Sequence, residues 1–378
     1  AFQEIGEEKC LSHLLNSPGN FTASKLAWVK ANEPRVYGSV YKIMLPGDFI
    51  AMKLTNSITT SNSALSEGIF WDFKENTVSE DILKYYGFPK TVLPELKPVF
   101  SNHGEVSSSM ADMTGLQAGT PVCYKAGDQP NNALSLNVLE PGEVAATAGT
   151  SGVVYSVSDQ ISYDPLSRVN TFAHVNHQLD GLNRLGTLLC VNGTGILNRW
   201  MRDQVASQWS YSQMNDAASA IKAGANGLYI LPFGNGAERI FNNKIIGAQI
   251  LGLDLNKHSS AHIYKAAQEG IAFAFRYGLD IMRENKLEPS VIKAGQANLF
   301  LSPVFTHAFV NATGVPVALY NVEGSVGAAL GAGIGAGIYK ELKDAFADTK
   351  PIERIEPTET KLYDALYENW KNNLAKFI

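Results

Sequence analysis

Two short stretches of this sequence carry the side chains best suited to chemistry. Asp128 follows an apolar run and a glycine in Tyr124-Lys-Ala-Gly-Asp-Gln, and a glycine-bracketed hydroxyl turn, Gly149-Thr-Ser-Gly152, comes about twenty residues later. A carboxylate can accept the proton of an attacking hydroxyl, and a turn rich in backbone N–H groups and hydroxyls can hold phosphate oxygens. The pair therefore predicts a centre for phosphoryl transfer.

The elements around these stretches must hold them in place. The separation between them is that of a short helix followed by a strand. Residues 144–148 and 153–157 predict two strands, so residues 149–152 would form the turn of a hairpin. Residues 122–125 predict a further strand that ends shortly before Asp128. Residues 290–298 follow the order strand, glycine turn and helix start.

The remaining pattern predicts an α/β protein of two domains, because strands, helices and glycine turns alternate along the chain. Residues 41–45 predict a short strand, and Asp48 is predicted to be the N-cap of a helix over 49–54. The glycine-rich stretch from Gly324 to Tyr339 is uncharged for only about fifteen residues, short of a membrane span. It predicts a helix that packs closely against a sheet or a nucleotide.

Composition narrows the class of protein. The chain has 378 residues, which favours two domains, and 45% of them are apolar, which is typical of a soluble globular protein. Its net charge of −5 argues against nucleic acid or an anionic membrane as a partner. Three cysteines without metal or redox spacing predict buried thiols in a reducing, cytoplasmic compartment. The seven histidines form no metal or hydrolase pattern.

Several passages, taken in order, resemble the FGGY carbohydrate kinases, and most closely their xylulose kinase branch. They are residues 19–29, 44–49, 126–129, 149–152, 294–298 and 324–333. The resemblance implies an actin-like ATPase fold of the α/β class, in which two ribonuclease H-like domains flank a cleft that takes sugar on one side and ATP with Mg²⁺ on the other. The remainder of the N-terminal sugar-binding domain is expected over 1–142, and the C-terminal nucleotide-binding domain over 143–378.

The resemblance also implies roles for individual residues. Asp128 would be the general base on the sugar hydroxyl, although without the family it is also an ordinary turn aspartate. The sugar contacts would be Asp128, Gln129, Asn131 and Asn20. The ATP contacts would be Gly149, Thr150, Gly234, Gly236, Gly295 and Asn298, although Gly234 and Gly236 could equally serve only to turn the chain, and no residue is assigned to a metal. The passage around Gly295 departs from the family pattern because Ala294 and Gln296 stand where glycines are usual.

The expected reaction is ATP-dependent phosphorylation of a ketopentose, D-xylulose to D-xylulose 5-phosphate. Ribulose, glycerol or gluconate as the acceptor, and a non-catalytic protein that binds sugar or nucleotide, remain open. The family begins with a strand and an Asp-x-Gly-Thr turn that would lie upstream of Ala1, so we expect about a hundred residues to be absent and the 378-residue chain to be inactive alone. The expected partner is a small-molecule sugar, without nucleic acid or membrane, and a homodimer stays open.

Overall fold

Short strands alternate with helices along the chain, and the computed structural model describes residues 1–378. The α-helices are α1 (Phe2–Ile5), α2 (Glu7–Leu14), α3 (Thr22–Asn32), α4 (Pro34–Gly38), α5 (Pro46–Thr55), α6 (Asn62–Glu67), α7 (Glu80–Tyr86), α8 (Ser108–Thr114), α9 (Asp128–Ser135), α10 (Gly195–Val205), α11 (Tyr211–Ser219), α12 (Ser260–Glu284), α13 (Pro303–Thr313), α14 (Gly324–Gly335) and α15 (Thr360–Leu374).

The strands are mostly short. They are β1 (Thr59–Thr60), β2 (Trp71–Asp72), β3 (Thr77–Val78), β4 (Glu95–Leu96), β5 (Glu143–Ala148), β6 (Gly152–Ser158), β7 (Asn170–Ala173), β8 (Leu185–Val191), β9 (Tyr229–Leu231), β10 (Gln249–Leu251), β11 (Val291–Gly295), β12 (Val317–Tyr320) and β13 (Glu353–Ile355). Single 3₁₀ turns occur at Lys90–Val92, Ala225–Gly227, Arg239–Phe241, Asn298–Leu301 and Leu342–Phe346.

The chain divides into two compact units. The first unit contains Ala1–Pro141, Val157–Thr187 and Glu323–Lys350, and the second contains Gly142–Ser156, Leu188–Val322 and Pro351–Ile378. The first break in the chain lies at residues 141–142, and two later segments return to the first unit. Helices and strands are mixed throughout, which confirms the predicted α/β class.

A mixed sheet organises the second unit. Within that unit its strand order is β13-β12-β11-β5-β6-β8, to which β6 contributes residues 152–156 and β8 contributes residues 188–191. The central strand β11 runs parallel to both of its neighbours, with Ala294 opposite Ala146 on β5 and Leu319 on β12. Strands β5 and β6 pair antiparallel, with Ala148 opposite Gly152, so the predicted hairpin with its turn at residues 149–151 is confirmed.

The long helix α12 is the main buried helix of the second unit. It begins with a capping box, in which Ser259 and His262 satisfy each other's backbone groups. Apolar residues at helical spacing bury most of its length, including Ile271, Phe275 and Ile281, and α13 packs alongside it. Helices α12 and α13 therefore form a well-packed helical layer in the second unit.

The glycine-rich stretch forms α14 in the first unit. A Cβ atom at Gly327 would lie 2.9 Å from the Ser135 Cβ atom, and one at Gly331 would lie 2.7 Å from the ring of Tyr124. A Cβ atom at Gly335 would lie 2.8 Å from the carbonyl carbon of Cys123. The predicted close packing is confirmed, but the neighbour is α9 with the segment before it, rather than a sheet or a nucleotide.

Three local predictions are wrong. Residues 41–45 form no strand, and within residues 122–125 only Tyr124 makes an isolated bridge, to Phe100. Asp48 is not an N-cap, since α5 already begins at Pro46 and the Asp48 side chain is buried in its first turn. None of the helices combines the length and the apolar character that crossing a membrane requires.

Candidate functional site

A cavity in the first unit surrounds the start of α9. We call it the acidic cavity, because Asp48, Glu67 and Asp128 all line it. Its volume is about 280 Å³, and the other lining residues are Leu45, Pro46, Gly47, Ala64, Lys125, Ala126 and Gly127. No group of three or more His, Cys, Asp or Glu side chains in the chain is arranged to hold a metal ion.

Asp128 is the first residue of α9 and is exposed at the cavity. Gly127 precedes it in extended backbone, and the Asp128 Oδ1 atom accepts a hydrogen bond of 2.8 Å from the backbone N–H of Gln129. An acidic side chain in the first turn interacts favourably with the helix dipole. The Gln129 amide lies 3.4 Å from the Asp128 Oδ2 atom. The structure therefore brings Asp128 and Gln129 together with one face of the carboxylate open.

Glu67, at the end of α6, lies directly against Gly127. A Cβ atom at Gly127 would lie 2.5 Å from the Glu67 Oε2 atom, so only glycine permits this approach. The Glu67 Oε1 atom is fully enclosed and has no hydrogen-bond partner. Burial, followed by the nearby charges of Asp128 and Asp48, raises the pKa of Glu67 to about 7.

A buried ion pair forms the opposite wall. The Lys125 ammonium lies 2.7 Å from the Asp48 Oδ1 atom and also donates to the Thr59 carbonyl oxygen and hydroxyl. The Thr59 hydroxyl in turn contacts the His103 ring at 3.1 Å. Burial lowers the pKa of Lys125 although Asp48 opposes the shift, and burial lowers the pKa of His103 as well. The second oxygen of Asp48, Oδ2, has no partner.

The other two predicted sugar contacts lie elsewhere in the first unit. Asn131 is on α9, but the Tyr124 hydroxyl donates to its Oδ1 atom at 3.2 Å, and its Nδ2 atom donates to the Gly324 carbonyl at 2.8 Å. Its amide therefore joins α9 to α14. Asn20 is exposed in a turn between α2 and α3, with a φ of 68°, and does not line the acidic cavity.

A second cavity, wholly within the second unit, lies at the β5–β6 turn. We call it the hairpin cavity. Its volume is about 370 Å³, and it is lined by Ala148, Gly149, Thr150, Gly195, Ile196, Asn198, Arg199, Tyr211, Asn215, Asn298, Leu299, Leu301 and Ser302. The structure thus brings three of the predicted ATP contacts together, namely Gly149, Thr150 and Asn298. Arg199 is exposed and supplies a positive charge to this cavity.

The start of α10 holds the turn in place. The backbone N–H of Gly195 donates to the Gly149 carbonyl at 2.9 Å, and that of Ile196 donates to the Thr150 carbonyl at 3.1 Å. The Thr194 hydroxyl adds a bond of 3.0 Å to the Gly149 carbonyl. Because these bonds occupy the carbonyl oxygens of Gly149 and Thr150, the backbone of the turn is fixed relative to α10.

Asn298 faces the turn from the end of β11. It has a φ of 55° and begins a 3₁₀ turn, and a Cβ atom at Gly149 would lie 3.8 Å from its Nδ2 atom. Nearby, the Ser302 hydroxyl lies 3.0 Å from the Asn215 Oδ1 atom and 2.7 Å from the Gln268 Oε1 atom. These amides and hydroxyls give the cavity a polar wall.

The remaining predicted ATP contacts do not line the hairpin cavity. Gly295 ends β11, where a Cβ atom would lie 3.4 Å from the Val322 carbonyl. Gly234 lines a separate, mainly apolar cavity beside α10, and Gly236 lies in a turn with a φ of 89°. That positive φ is enough to explain why position 236 is a glycine, because other residues rarely adopt it.

A buried carboxyl group fixes the loop before α10. Glu238 accepts hydrogen bonds of 3.1 Å from the backbone N–H groups of Asn192 and Gly193. Burial raises the pKa of Glu238 to about 7, although these two bonds oppose the shift. Glu238 therefore supports the hairpin cavity indirectly, through the loop that precedes Thr194.

Sequence reasoning missed several residues of both cavities. Glu67 is the only charged residue between Lys53 and Asp72, and a lone carboxylate in an otherwise uncharged run is an available sequence signal. Arg199 and Asn215 lie on amphipathic helices, where polar residues are expected on the outer face, so no pattern distinguished them.

Comparison with known proteins gives the family. The N-terminal domain of the FGGY family of carbohydrate kinases matches residues 11–135, and the C-terminal domain of that family matches residues 144–336. The chain therefore belongs to the FGGY family of carbohydrate kinases, as its sequence predicted.

Individual relatives agree with this assignment. The chain is 27% identical over 282 residues to a xylulose kinase of Bacillus subtilis, covering 73% of this chain and 55% of that protein. It is 28% identical over 277 residues to a xylulose kinase of Haemophilus influenzae, covering 72% and 54%. The chain thus spans about half the length of these curated relatives.

Solved structures support the fold. The xylulose kinase of Rhodospirillum rubrum superposes with a TM-score of 0.87 at 26% identity, covering 98% of this chain and 75% of that one. A glycerol kinase of Plasmodium falciparum superposes with a TM-score of 0.89 at 17% identity, covering 99% and 75%, which shows the shared fold alone. The predicted actin-like ATPase fold of the α/β class is confirmed.

Proposed function

We propose that this protein takes part in the ATP-dependent phosphorylation of a ketopentose, converting D-xylulose to D-xylulose 5-phosphate. The observation that carries the proposal is the position of Asp128, an exposed carboxylate at the start of α9 that opens into a polar cavity. Xylulose is preferred to other acceptors because the relatives at 27% and 28% identity are xylulose kinases.

Asp128 would act as the general base. Its Oδ1 atom accepts from the Gln129 N–H at 2.8 Å, and its Oδ2 atom accepts only a longer bond of 3.4 Å from the Gln129 amide. Oδ2, the less tightly held oxygen, would accept the proton of the terminal sugar hydroxyl as the hydroxyl oxygen attacks the γ-phosphate. Because the transition state of phosphoryl transfer is loose, orienting the hydroxyl contributes alongside proton transfer. Gln129, beside Asp128, would assist that orientation.

ATP would bind in the hairpin cavity. The Gly149-Thr150 turn offers close backbone approach and a hydroxyl for phosphate oxygens, Arg199 offers a positive charge, and Asn298 offers an amide. Mg²⁺ would enter as part of the nucleotide substrate, held mainly by phosphate oxygens and water. Residues 1–142 would then supply the sugar-binding part, and residues 143–378 the nucleotide-binding part.

Binding measurements test the two cavities separately. The 378-residue protein is titrated by calorimetry with D-xylulose, D-ribulose, glycerol and D-gluconate, and with ATP in the presence of Mg²⁺. We expect saturable binding of D-xylulose and of ATP, and ATP-dependent formation of a sugar phosphate by the whole gene product, followed by phosphorus NMR. Tighter binding of another acceptor would change the substrate, and ATP binding without any sugar binding would favour a non-catalytic nucleotide-binding role.

A further inference from the structure

The Glu67 side chain lines the acidic cavity and has no role in the proposed reaction. The residue is half-buried, yet its Oε1 atom is fully enclosed and has no hydrogen-bond partner in the protein. An enclosed polar atom without a partner is unfavourable, so such atoms commonly mark a ligand contact. Its backbone position is fixed because α6 begins at the Ser61 N-cap, whose side chain accepts from the Ala64 N–H.

A second carboxyl oxygen in the same cavity also lacks a hydrogen-bond partner. The Asp48 side chain is only 3% exposed, and while its Oδ1 atom pairs with Lys125, its Oδ2 atom has no partner. The cavity therefore contains two enclosed carboxyl oxygens that lack hydrogen-bond partners, next to the open carboxylate of Asp128. A ligand that satisfies this set must offer several hydroxyl groups, which can both donate and accept, as a sugar does, and it must carry no negative charge at this point.

We infer that Glu67 is a specificity-determining residue that hydrogen-bonds a second hydroxyl of the sugar while Asp128 engages the reacting one. This inference rests on the proposed function, since it assigns a contact to the same sugar site. Gly127 lies between the two carboxyl groups, and its missing side chain is what allows Glu67 to reach the edge of the cavity where Asp128 begins α9.

Glu67 makes this contact as a neutral carboxylic acid. The groups that face it are Asp48 on α5, Asp128 on α9, and Tyr124 and Lys125 on the segment before α9. The Lys125 charge is already paired with Asp48, so an ionised Glu67 would add an uncompensated negative charge. Burial and the two carboxylates raise the pKa of Glu67 to about 7, so below that pH its O–H can donate to a sugar oxygen. Sugar affinity should then fall as the pH rises through this value.

The test is calorimetric titration of the 378-residue protein with D-xylulose at pH 6 and pH 8. We expect roughly tenfold weaker binding at pH 8 for the wild type, since a group with a pKa near 7 is about 90% protonated at pH 6 and about 10% at pH 8. Glu67→Gln keeps an N–H donor and should bind equally at both pH values. Glu67→Ala should bind about 3–10-fold more weakly than the wild type at pH 6, the usual effect of one lost hydrogen bond.

The matched control is Glu95→Gln, which removes one exposed carboxylate from the same unit and should leave both the affinity and its pH response unchanged. Proton uptake gives a readout that needs no substitution. Titrations at pH 7.5 in buffers of different ionisation enthalpy should show that the wild type takes up part of one proton on binding sugar, and that Glu67→Gln takes up none.

The possible results distinguish a failure of the role given to Glu67 from a failure of the proposed function. Wild-type affinity that does not change between pH 6 and pH 8, together with no proton uptake, overturns the role of Glu67 and leaves the proposed function intact. Unchanged binding by a folded Glu67→Ala variant overturns it as well. A folded wild-type protein that binds none of the sugars overturns the proposed sugar site, and this inference with it.

Discussion

The Lys125 ammonium lies 2.7 Å from the Asp48 carboxylate, and the two side chains are only 5% and 3% exposed. Replacing one member of a buried pair leaves the other charge without compensation, so Lys125→Met should lower the free energy of unfolding by about 3–5 kcal/mol. The double variant Asp48→Leu/Lys125→Met should recover most of that loss. Urea denaturation measures both, and a double variant as unstable as the single one would contradict this account.

Asp128→Asn should remove the proton acceptor while preserving the size of the side chain. We expect kcat of the whole gene product to fall by about 10²–10⁴-fold, the usual contribution of general base catalysis, with sugar affinity changed much less. The Asn side chain can still accept the Gln129 N–H, so α9 should begin normally. Steady-state kinetics with D-xylulose measure the change, and retention of most of the turnover would show that another group is the base.

Gly149→Ala tests the hairpin cavity. The new methyl group would have no atom closer than 3.8 Å, so the free energy of unfolding should change little. The methyl group would nevertheless occupy the space between the turn and Asn298, where we place the nucleotide phosphates, and ATP affinity should fall about tenfold or more. Calorimetry measures this fall.

Gly38→Ala is the control for that variant, because a Cβ atom there meets nothing within 4 Å and the residue lies outside both cavities. Equal ATP affinity for the Gly149→Ala and Gly38→Ala proteins would remove Gly149 from the nucleotide site.

Gly331→Ala tests the contact between α14 and the segment before α9. Helix propensity alone predicts a gain of about 1 kcal/mol for this change. The structure predicts a net loss instead, because the new Cβ atom would lie 2.7 Å from the Tyr124 ring. Thermal unfolding distinguishes the two signs, with Ala332→Ser on the exposed side of α14 as the control. A raised Tm in Gly331→Ala would contradict the packing.

Glu67 should also make folding stability depend on pH. Its pKa of about 7 in the folded protein lies above the ordinary value of 4.5 in the unfolded chain. The folded state therefore binds more protons between these values, and the free energy of unfolding should fall as the pH rises from about 4.5 to 7. The loss should be on the order of 1–3 kcal/mol. Subtracting the unfolding free energy of Glu67→Gln from that of the wild type at each pH isolates this contribution. A difference that does not change with pH would contradict it.

The parts of the fold that sequence predicted best are those set by local patterns. The β5–β6 hairpin has two mainly apolar runs around a glycine-bracketed turn, and α12 has a long 3.6-residue period that begins at a capping box. Residues 41–45 have the same local character as a strand, but no neighbouring strand pairs with them. Strand formation depends on a partner, which a local pattern does not contain.

The residues of the two cavities fall into the same two groups, those recognisable from a local motif and those placed by tertiary packing. Asp128 and the Gly149-Thr150 turn could be found because each lies in a short, distinctive motif. The partnership of Asp48 with Lys125, and the approach of Glu67 to Gly127, join residues far apart in sequence through tertiary packing alone. Asn131 is a predicted sugar contact, and nothing in the sequence indicates that its amide hydrogen-bonds Tyr124 and the distant Gly324.

The bond from Asn131 to the Gly324 carbonyl joins positions 193 residues apart. A ribosome adds about 5–20 residues each second, so α9 waits roughly 10–40 s after its synthesis before α14 emerges to cover it. During that interval the helix that begins with Asp128 lacks its glycine-faced neighbour. The helix that carries the proposed base therefore gains this packing partner only late in the synthesis of the chain.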